Sequence, residues 1–375
     1  MKFKPRDYFS FTSHSAFGSG LFAWLKVLSQ NNFSIHPFFL PKAFFISGAI
    51  ILSTPFRWYE QIKFRNKIKD AEIKNPVFIL GHPRSGTTFL HYMMGQDPAF
   101  GYCTTTQAMI PHMFLTRSGF FSGLLSKALP KTRPMDNLKM GSDLPKEEEF
   151  ALIAYGPESM VTGYYFPQHF TKNFEKNVLF ENNQQGKENW KKNFDHFLRK
   201  LTISNPGKKL LMKSPANTAR VKEILELYPD AKFIHIYRNP FDVIQSHLHL
   251  FNKLLPMLSF QNIDDLAIEE IVFSTYIKLH KKYFNEMSLI PKQNLVELKY
   301  EDFVVDPLVH LKKIYASISL NEFEKARPFL EEEFKKYCNY HKNKFNMSGE
   351  LAEKISSRLR FAFDRFGYST DFRHG

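Results

Sequence analysis

Short apolar runs alternate with amphipathic stretches over much of the chain. The run PVFILG, residues 76–81, ends at a glycine, and the apolar residues of TTFLHYMMGQ after it recur with helical spacing. Continuous apolar runs of this length are typical of strands buried on both faces, as in parallel sheets. The pattern therefore predicts a strand, a glycine loop and a helix in succession.

The same alternation recurs further along the chain. KKLLMKSP and AKFIHIYRNP predict two more buried strands, separated by the amphipathic stretch NTARVKEILELYP. PFDVIQSHLHLF begins with a proline, which is favourable in the first turn of a helix, and NLVELKYEDF predicts a strand before the helical stretch LVHLKKIYASI. Strands that alternate with helices indicate an α/β fold with a mainly parallel central sheet, whose ligands bind at the carboxyl ends of the strands.

Two segments fall outside this alternation. Residues 107–168 contain the irregular strings RPMDN, GSDLPKEEEF and GPESM, which are rich in proline, glycine and acidic residues. We interpret them as an insertion over the strand ends, because irregular segments in that position commonly carry substrate-binding residues. Residues 1–75 form an N-terminal helical and apolar extension, and residues 76–375 form the main domain, which closes with further helices.

The most apolar stretch, AFFISGAIIL at residues 43–52, lies in the N-terminal extension. A membrane-spanning helix needs about 20 apolar residues, roughly twice this length. The stretch is therefore either a buried helix or an interfacial segment that enters a membrane surface, and the aromatic strings HPFFLP and PFRWY keep the second interpretation open. The N-terminus has no continuous apolar core before a cleavage site, so we predict no secretory signal.

Composition narrows the classes of partner and the compartment. The chain of 375 residues is 43% hydrophobic, enough to bury a substantial core, and its formal net charge of +14 suggests an anionic partner. Cys103 and Cys338 lie far apart without a CxxC pair, so neither a disulfide framework nor a thiolate zinc site is indicated. A reducing, cytoplasmic location fits, with peripheral attachment to a membrane left open by residues 43–52.

The string GHPRSGTTF carries the strongest chemical signal. Gly81 and Gly86 keep the spacing of a Walker phosphate-binding loop, but Thr87 replaces the lysine that follows the second glycine there. Backbone N–H groups of such a loop and the positive end of the next helix form a cradle for a tetrahedral anion. A mixed phosphate–sulfate anhydride carries less charge than a triphosphate, so we expect that Arg84 and the cradle could bind such an anion without a metal ion.

A second anion-binding pair follows a later strand. Arg238 leaves the predicted strand end in HIYRNPFDVIQS, and Ser246 lies on the second turn of the next helix. An arginine fork and a hydroxyl in these positions can bind one further phosphate. Taken alone, an arginine at a strand end is more often a surface ion-pair partner, so the pair becomes informative beside the glycine loop.

The strings GHPRSGTTF, LLMKSP and YRNPFDVIQS, in this order, resemble the nucleotide-binding core of the sulfotransferases that use 3′-phosphoadenosine 5′-phosphosulfate (PAPS). The arginine in the loop is similar to the bacterial and Golgi-like branch, whereas the cytosolic aryl branch has lysine. The resemblance extends from about residue 76 to residue 303, including KYEDFVVDP. It implies a three-layer fold of the P-loop type, with helical additions at both ends.

The resemblance also implies how the chain binds PAPS. The 3′-phosphate is held by Arg238 and Ser246, and Lys342 and Lys344 of the late string YHKNKFNM are further candidate contacts to the co-substrate. The residues that hold the 5′-phosphosulfate are those of the loop and the helix start: Arg84, Ser85, Gly86, Thr87 and Thr88. No metal ion is expected at this site.

Catalysis requires positive groups at the sulfonyl and the leaving phosphate, and a base for the acceptor hydroxyl. Arg84 is one candidate cation, and Lys213 in MKSP matches a lysine that the family places near the bridging oxygen. A lysine at a strand end is otherwise an ordinary surface residue. Here, however, it lies in a string that matches the family.

The general base cannot be assigned by the same match, because this chain departs from the cytosolic branch at the position of the catalytic histidine. That branch has a catalytic histidine two residues after the lysine, where this chain has Pro215. Other branches use glutamate, so Glu147 and Glu149, at the start of the predicted helix EEEFALIAY, are the candidate bases, with His82 and His112 as alternatives. A carboxylate that works near neutrality is expected to have a raised pKa.

The acceptor is an unidentified hydroxyl compound. A lipid, glycolipid or carbohydrate is compatible with the resemblance, and the apolar N-terminal segment favours a lipid or glycolipid.

Two other functions stay open: a P-loop kinase or ATPase, which the missing lysine disfavours, and a non-enzymatic basic protein that binds a membrane or nucleic acid. A non-enzymatic basic protein would not explain the ordered anion-binding strings. We expect no nucleic-acid partner. The oligomeric state is not predicted.

Overall fold

The computed structural model describes residue 3 and residues 14–133, 135, 138–320, 323–337 and 346–372. Its strands are β1 (Val77–Leu80), β2 (Phe100–Gly101), β3 (Lys209–Lys213), β4 (Lys232–Tyr237) and β5 (Leu295–Lys299). They form one sheet in the order β2-β3-β1-β4-β5. All of its pairings are parallel, which confirms the predicted α/β fold with a parallel sheet.

Helices cover both faces of the sheet and extend the chain at both ends. The α-helices of the described residues, in chain order, are α1 (Leu21–Gln30), α2 (Leu40–Asp70), α3 (Thr87–Met94), α4 (Thr105–Met109), α5 (Phe114–Ala128), α6 (Glu149–Leu152), α7 (Val161–Tyr165), α8 (Phe170–Asn177), α9 (Gln184–Ser204), α10 (Val221–Leu227), α11 (Pro240–Leu258), α12 (Asp265–Glu286), α13 (Tyr300–Val305), α14 (Pro307–Ser317), α15 (Phe323–Tyr337), α16 (Gly349–Arg358) and α17 (Arg360–Phe366). Short 3₁₀ turns join several of them, among them Pro215–Ala219.

The central strand β1 explains why its sequence is apolar at every position. Phe78 and Leu80 belong to the core cluster on one face of the sheet, and Val77 and Ile79 belong to the cluster on the other face. Side chains alternate between the faces of a strand, so a strand with a helical layer on each side buries all of them. The carboxyl end of β1 leads directly into the glycine loop.

The apolar stretch at residues 43–52 forms part of the long helix α2. Ala43, Ile46 and Ile50 are buried in a core cluster, whereas Phe44 is 72% exposed and Leu52 is 77% exposed. The stretch is therefore buried on one side of the helix and exposed on the other, and its contact with a membrane stays a prediction.

Two predicted helices differ in extent from those observed. The string EEEFALIAY forms only the short helix α6, because the side chains of Glu148 and Glu149 turn inward to buried partners. In NTARVKEILELYP, residues up to Ala219 belong to a 3₁₀ turn, and the α-helix begins at Val221. Tertiary contacts of polar side chains decide both boundaries.

Candidate active site

The glycine loop connects β1 to α3 at the carboxyl edge of the sheet. Its first N–H, of Gly81, donates to Oγ1 of Thr218 at 2.7 Å, and the N–H of Ser85 donates to the carbonyl of His82 at 3.1 Å. Gly86 has a φ of 95°, and a Cβ there would collide with the ring of Tyr300. The turn therefore requires glycine at this position, and helix α3 begins immediately after it with free N–H groups in its first turn.

Arg84 stands in the middle of this loop with a strained backbone, since its φ is 76°. Its Nε donates to Oγ of Ser246 on α11 at 2.9 Å, and its Nη2 donates to the carbonyl of Met135 at 3.4 Å. A non-glycine residue in the left-handed region costs about 1–3 kcal/mol and is often found at functional sites. The guanidinium is thus directed toward α11 and the insertion.

Arg238 lies directly after β4, on the other side of the same loop. Its Nη2 donates to Oδ2 of Asp242 at 2.6 Å, its Nη1 lies 3.5 Å from the carbonyl of Arg84, and its Cζ is 4.7 Å from the ring centre of Tyr300. The structure therefore brings Arg84, Arg238 and Ser246 together, although they belong to three separate elements.

A second group of polar side chains lies at the start of α3. Nζ of Lys213, at the end of β3, donates to Oε1 of Glu147 at 2.6 Å and lies 3.4 Å from Oγ1 of Thr88. Nη1 of Arg133 lies 3.3 Å from the same Thr88 hydroxyl. The sequence pattern did not single out Arg133, because this residue lies in the irregular string RPMDN. The available signal was a cationic residue within an insertion that covers the strand ends.

The charges of this group set the protonation of Glu147. Burial alone would raise its pKa, but the charge and hydrogen bond of Lys213, followed by the charges of Lys146 and Arg133, bring the pKa below its usual value. Burial also lowers the pKa of Lys213, against the opposing charge of Glu147. The expectation of a raised pKa for Glu147 is therefore wrong for this state of the site, since the carboxylate is held ionised by its cationic neighbours.

Glu149 has different surroundings from Glu147. Its Oε2 accepts from Nη1 of Arg220 at 3.0 Å and its Oε1 accepts from the N–H of Met160 at 2.6 Å, with both charged side chains buried. A carboxylate with both oxygens engaged in the core is poorly placed to take a proton from a substrate. This position argues against Glu149 as the base.

Glu148, between them, is a buried carboxylate that sequence reasoning passed over. Its oxygens accept hydrogen bonds from the side-chain amide of Asn217 and from the N–H of Lys213. Burial, and secondarily the charge of Glu149, raises the pKa of Glu148 to about 7. The side chain ties the insertion to the end of β3 and thereby positions Lys213.

The two candidate histidines are engaged with backbone carbonyls, with His82 fully buried and His112 partly buried. Nδ1 of His82 donates to the carbonyl of Pro83 at 2.8 Å, and the ring is fully buried. Nε2 of His112 donates to the carbonyl of Ala154 at 3.0 Å, and burial lowers the pKa of His112 to about 3. Neither position favours proton transfer with a substrate.

A cleft opens between the insertion and the end of β3. Its polar lining includes Arg133, Lys146, Glu147 and Lys213. The larger part of its wall is apolar and is made by Met135, Met140, Phe150, Met160, Tyr164, Leu250 and Leu254. The cleft therefore offers one charged end next to the glycine loop and an apolar remainder.

The hydrogen-bond donors around the glycine loop suit an anionic ligand. The guanidinium groups of Arg84, Arg133 and Arg238 and the ammonium of Lys213 meet there with two carboxylates, Glu147 and Asp242. Within the described ranges, no group of three His, Cys, Asp or Glu side chains is arranged to hold a metal ion. Lys342, Lys344 and Cys338 lie outside the described residues, and Cys103 is buried.

Comparison with known proteins identifies relatives over most of the chain. Residues 76–325 match the model of the sulfotransferase family. Proteins of Mycobacterium bovis and Mycobacterium tuberculosis named omega-hydroxy-beta-dihydromenaquinone-9 sulfotransferase Stf3 are 28% identical over 352 residues, covering 94% of this chain and 90% of theirs.

Solved structures agree on the fold. The crystal structure of sulfotransferase STF1 from Mycobacterium tuberculosis superposes with a TM-score of 0.66 at 15% identity, covering 90% of this chain and 91% of that one. Sulfotransferase STF9 from Mycobacterium avium superposes with a TM-score of 0.67 at 16% identity, covering 92% and 90%. These likenesses confirm the three-layer fold.

Proposed function

We propose that this chain, which belongs to the sulfotransferase family, takes its sulfonyl group from PAPS and delivers it to a hydroxyl on a lipid. The observation that carries the proposal is the contact of Lys213 with Glu147, in the polar part of a cleft whose wall is mostly apolar, and with Thr88 at the start of α3. A sulfonyl donor on the glycine loop and an acceptor in the cleft would meet at these three side chains.

The donor side has two anion subsites. The first is the loop cradle with Ser85, Gly86, Thr87 and Thr88, whose N–H groups and helix dipole favour the 5′-phosphosulfate. The second consists of Arg238 and Ser246, joined by Arg84 through its hydrogen bond to the serine. An arginine fork beside a hydroxyl suits a 3′-phosphate, which distinguishes PAPS from ATP.

The orientation of Arg84 changes the division of roles. Its side chain reaches toward Ser246 rather than toward Thr88, so we assign it to the 3′-phosphate side. Lys213 and Arg133, which both approach the Thr88 hydroxyl, are then the cations that stabilise the sulfonyl group and the leaving phosphate.

Glu147 is the proposed general base. Its carboxylate takes the proton of the acceptor hydroxyl while the acceptor oxygen forms a bond to sulfur and the bond from sulfur to the bridging phosphate oxygen breaks. The products are the sulfate ester, 3′-phosphoadenosine 5′-phosphate (PAP) and a protonated Glu147, which returns its proton to solvent. In-line geometry requires that base and leaving group lie on opposite sides of the sulfur.

The ion pair between Lys213 and Glu147 links donor binding to base strength. Lys213 is shared between the carboxylate and Thr88, so an anion at Thr88 competes for its ammonium. As Lys213 turns toward that anion, Glu147 loses its nearest cation and its pKa rises, which makes it a better base. The low pKa of Glu147 without a donor is thus compatible with its role.

The apolar wall of the cleft supports a lipid acceptor. Met140, Phe150, Leu250 and Leu254 offer an apolar surface beside the charged residues, which suits the apolar part of an acceptor next to its hydroxyl. The mycobacterial relatives take their name from a hydroxylated menaquinone, which supports a hydroxylated lipid as the proposed acceptor class.

The test is transfer of radiolabelled sulfonate from PAPS to lipid extracts and, in parallel, to soluble sugars and phenols. The proposal predicts a labelled lipid product whose formation falls about 10²- to 10⁴-fold in Glu147→Gln. Labelling of soluble sugars alone would contradict the lipid acceptor, and failure to use PAPS while Mg-ATP is hydrolysed would favour the kinase alternative instead.

A further inference from the structure

Helix α2 exposes apolar side chains along one side. Phe44, Ile51 and Ile62 are 72%, 57% and 78% exposed, and they lie 7 and then 11 residues apart, spacings that return to the same side of an α-helix. Leu52 beside them is 77% exposed. Side chains of this size are rarely left in water in a row, so this surface indicates a partner.

Helix α5 of the insertion extends this surface. Its start is joined to α2, because the N–H of Thr116 donates to Oε2 of Glu60 at 2.9 Å and Arg117 lies over the ring of Phe56. One turn further, Phe120 is 70% exposed, and Leu124 after it is 58% exposed. We call Phe44, Ile51, Leu52, Ile62, Phe120 and Leu124 the apolar platform.

The charged residues next to the apolar platform indicate which kind of partner covers it. Lys63, Arg65, Lys67 and Lys69 follow the apolar part of α2 and are all exposed, with Asp70 as the only acidic residue from position 61 to 70. Lys63 and Lys67 lie on one side of the helix and Arg65 and Lys69 on another. Such a cluster of exposed cations after an apolar and aromatic stretch is typical of helices that lie in the surface of an anionic membrane. The net charge of +14 of the chain acts in the same direction.

The opposite side of α2 is fastened to the protein at both ends. Nζ of Lys42 donates to the carbonyl of Met257 at 3.0 Å, and the buried carboxylate of Glu60 pairs with Nζ of Lys200 at 2.7 Å. Residues 37–70 are long and apolar enough to cross a membrane by length and composition. A crossing would, however, separate the buried Glu60–Lys200 pair, which is strongly unfavourable, so α2 fits the membrane surface rather than its interior.

The platform is also connected to the cleft. Helix α5 ends at Ala128, and Arg133 and Met135 in the segment that follows line the cleft next to Lys213. One continuous piece of the insertion thus carries part of the platform at one end and part of the acceptor site at the other.

We propose that α2 and α5 dock this enzyme, as a peripheral protein, on the surface of an anionic lipid bilayer. We further infer that the acceptor lipid enters the cleft from that surface, an inference that rests on the proposed function. A second copy of the chain is the alternative occupant of the platform, and the experiment below distinguishes it.

The chain contains an internal reporter for the test. Of its three tryptophans, Trp24 and Trp190 are 1% exposed, whereas Trp58 on α2 is 63% exposed. Vesicles of phosphatidylcholine with phosphatidylglycerol should shift the emission of Trp58 to the blue and sediment with the protein. Vesicles of phosphatidylcholine alone should bind at least about tenfold more weakly, because they lack the anionic headgroups that attract the exposed cations of α2.

Matched variants assign the effect to the platform. Leu52→Glu with Ile62→Glu should lower binding to the anionic vesicles at least about tenfold, because both side chains lose their apolar contact with the lipid. The control is Leu266→Glu with Val305→Glu, since these residues are 79% and 82% exposed elsewhere. It adds the same charge and should change vesicle binding less than about twofold. Circular dichroism checks that all variants fold.

Three outcomes would overturn the docking proposal. The first is equal vesicle binding by platform and control variants. The second is retention of the protein in membranes after alkaline carbonate extraction, which indicates a spanning helix. The third is a dimer in light scattering whose Trp58 emission is already blue-shifted and unaffected by vesicles, which indicates a second copy.

The entry of the acceptor is tested separately. The platform variant should retain transfer to a water-soluble alcohol with a short apolar chain, and lose at least about tenfold of its activity on a hydroxylated lipid embedded in anionic vesicles. Equal activity on both acceptors would overturn entry from the membrane surface. Absence of transfer from PAPS to either acceptor by the wild type would contradict the proposed function while leaving the vesicle-binding result intact.

Discussion

We call the carboxyl edge of the sheet, where the proposed sulfonyl donor binds, the donor edge. This edge and the insertion that covers it are built in different ways. At the donor edge, Arg84 and Arg238 emerge from short segments after strands, and each lies within a recognisable string. In the insertion, Glu147 and Glu149 are two residues apart, yet one faces the cleft and the other is buried with Arg220. Local sequence thus indicates the donor contacts, whereas roles in the insertion depend on distant partners.

The largest effect should come from the insertion residue that faces the cleft. Glu147→Gln removes the proposed base while leaving the amide close to Lys213, so kcat should fall about 10²- to 10⁴-fold. The affinity for PAP should not fall, because the donor contacts remain and Lys213 no longer pairs with a carboxylate. Steady-state kinetics and a binding titration on the same preparation measure the two quantities, and unchanged kcat would remove Glu147 from the mechanism.

Glu149 should behave in the opposite way. Glu149→Gln leaves the buried Arg220 without its charged partner, so the free energy of unfolding should fall by about 3–5 kcal/mol. The kcat of the remaining folded enzyme should stay close to that of the wild type. Urea denaturation followed by circular dichroism measures the loss, and a stable variant with little activity would reverse the roles assigned to the two glutamates.

Glu148 makes the stability of the insertion depend on pH. Its pKa in the fold is about 7 instead of the usual 4.5, so the unfolded chain releases this proton first as the pH rises. This residue therefore lowers the free energy of unfolding progressively between pH 4.5 and about 7, by at most about 3 kcal/mol, and no further above that range. The difference in free energy of unfolding between wild type and Glu148→Gln, measured by urea denaturation, should therefore change between pH 5 and pH 8. An identical slope in both proteins would contradict it.

The donor edge should respond in affinity rather than in stability. Arg238→Ala removes one charge-assisted contact to the 3′-phosphate and should weaken PAP binding about 10- to 100-fold. Arg358→Ala is a suitable control, because that arginine pairs with Glu270 on the surface at 2.7 Å. Calorimetric titration of both variants measures the difference, and equal affinities would show that Arg238 does not touch the ligand.

Much of the fold and of the donor edge could be predicted because the signals are local. A buried strand is apolar at each position, as in β1, and the left-handed turn at Gly86 needs a glycine against Tyr300. The two-residue strand β2 carries no such pattern, since a stretch of that length has no periodicity to detect.

The insertion could not be predicted to the same extent, because its contacts join distant positions. Glu147 meets Lys213 66 residues away, and Glu149 meets Arg220 71 residues away. Three adjacent glutamates look alike in sequence, and only the packing of the short helix α6 separates a carboxylate in the cleft from two in the core. Arg84 likewise turns to Ser246, 162 residues away, which shifted its proposed role to the 3′-phosphate side.

The most direct test of the central claim is calorimetric titration of the wild-type protein with PAP in chelator-treated buffer, and separately with ATP and magnesium. We predict tight binding of PAP without metal, because the loop and the Arg84–Arg238–Ser246 group accept one anionic group each. Binding of ATP with magnesium and none of PAP would mean that the loop holds a triphosphate, and it would contradict the proposed use of PAPS.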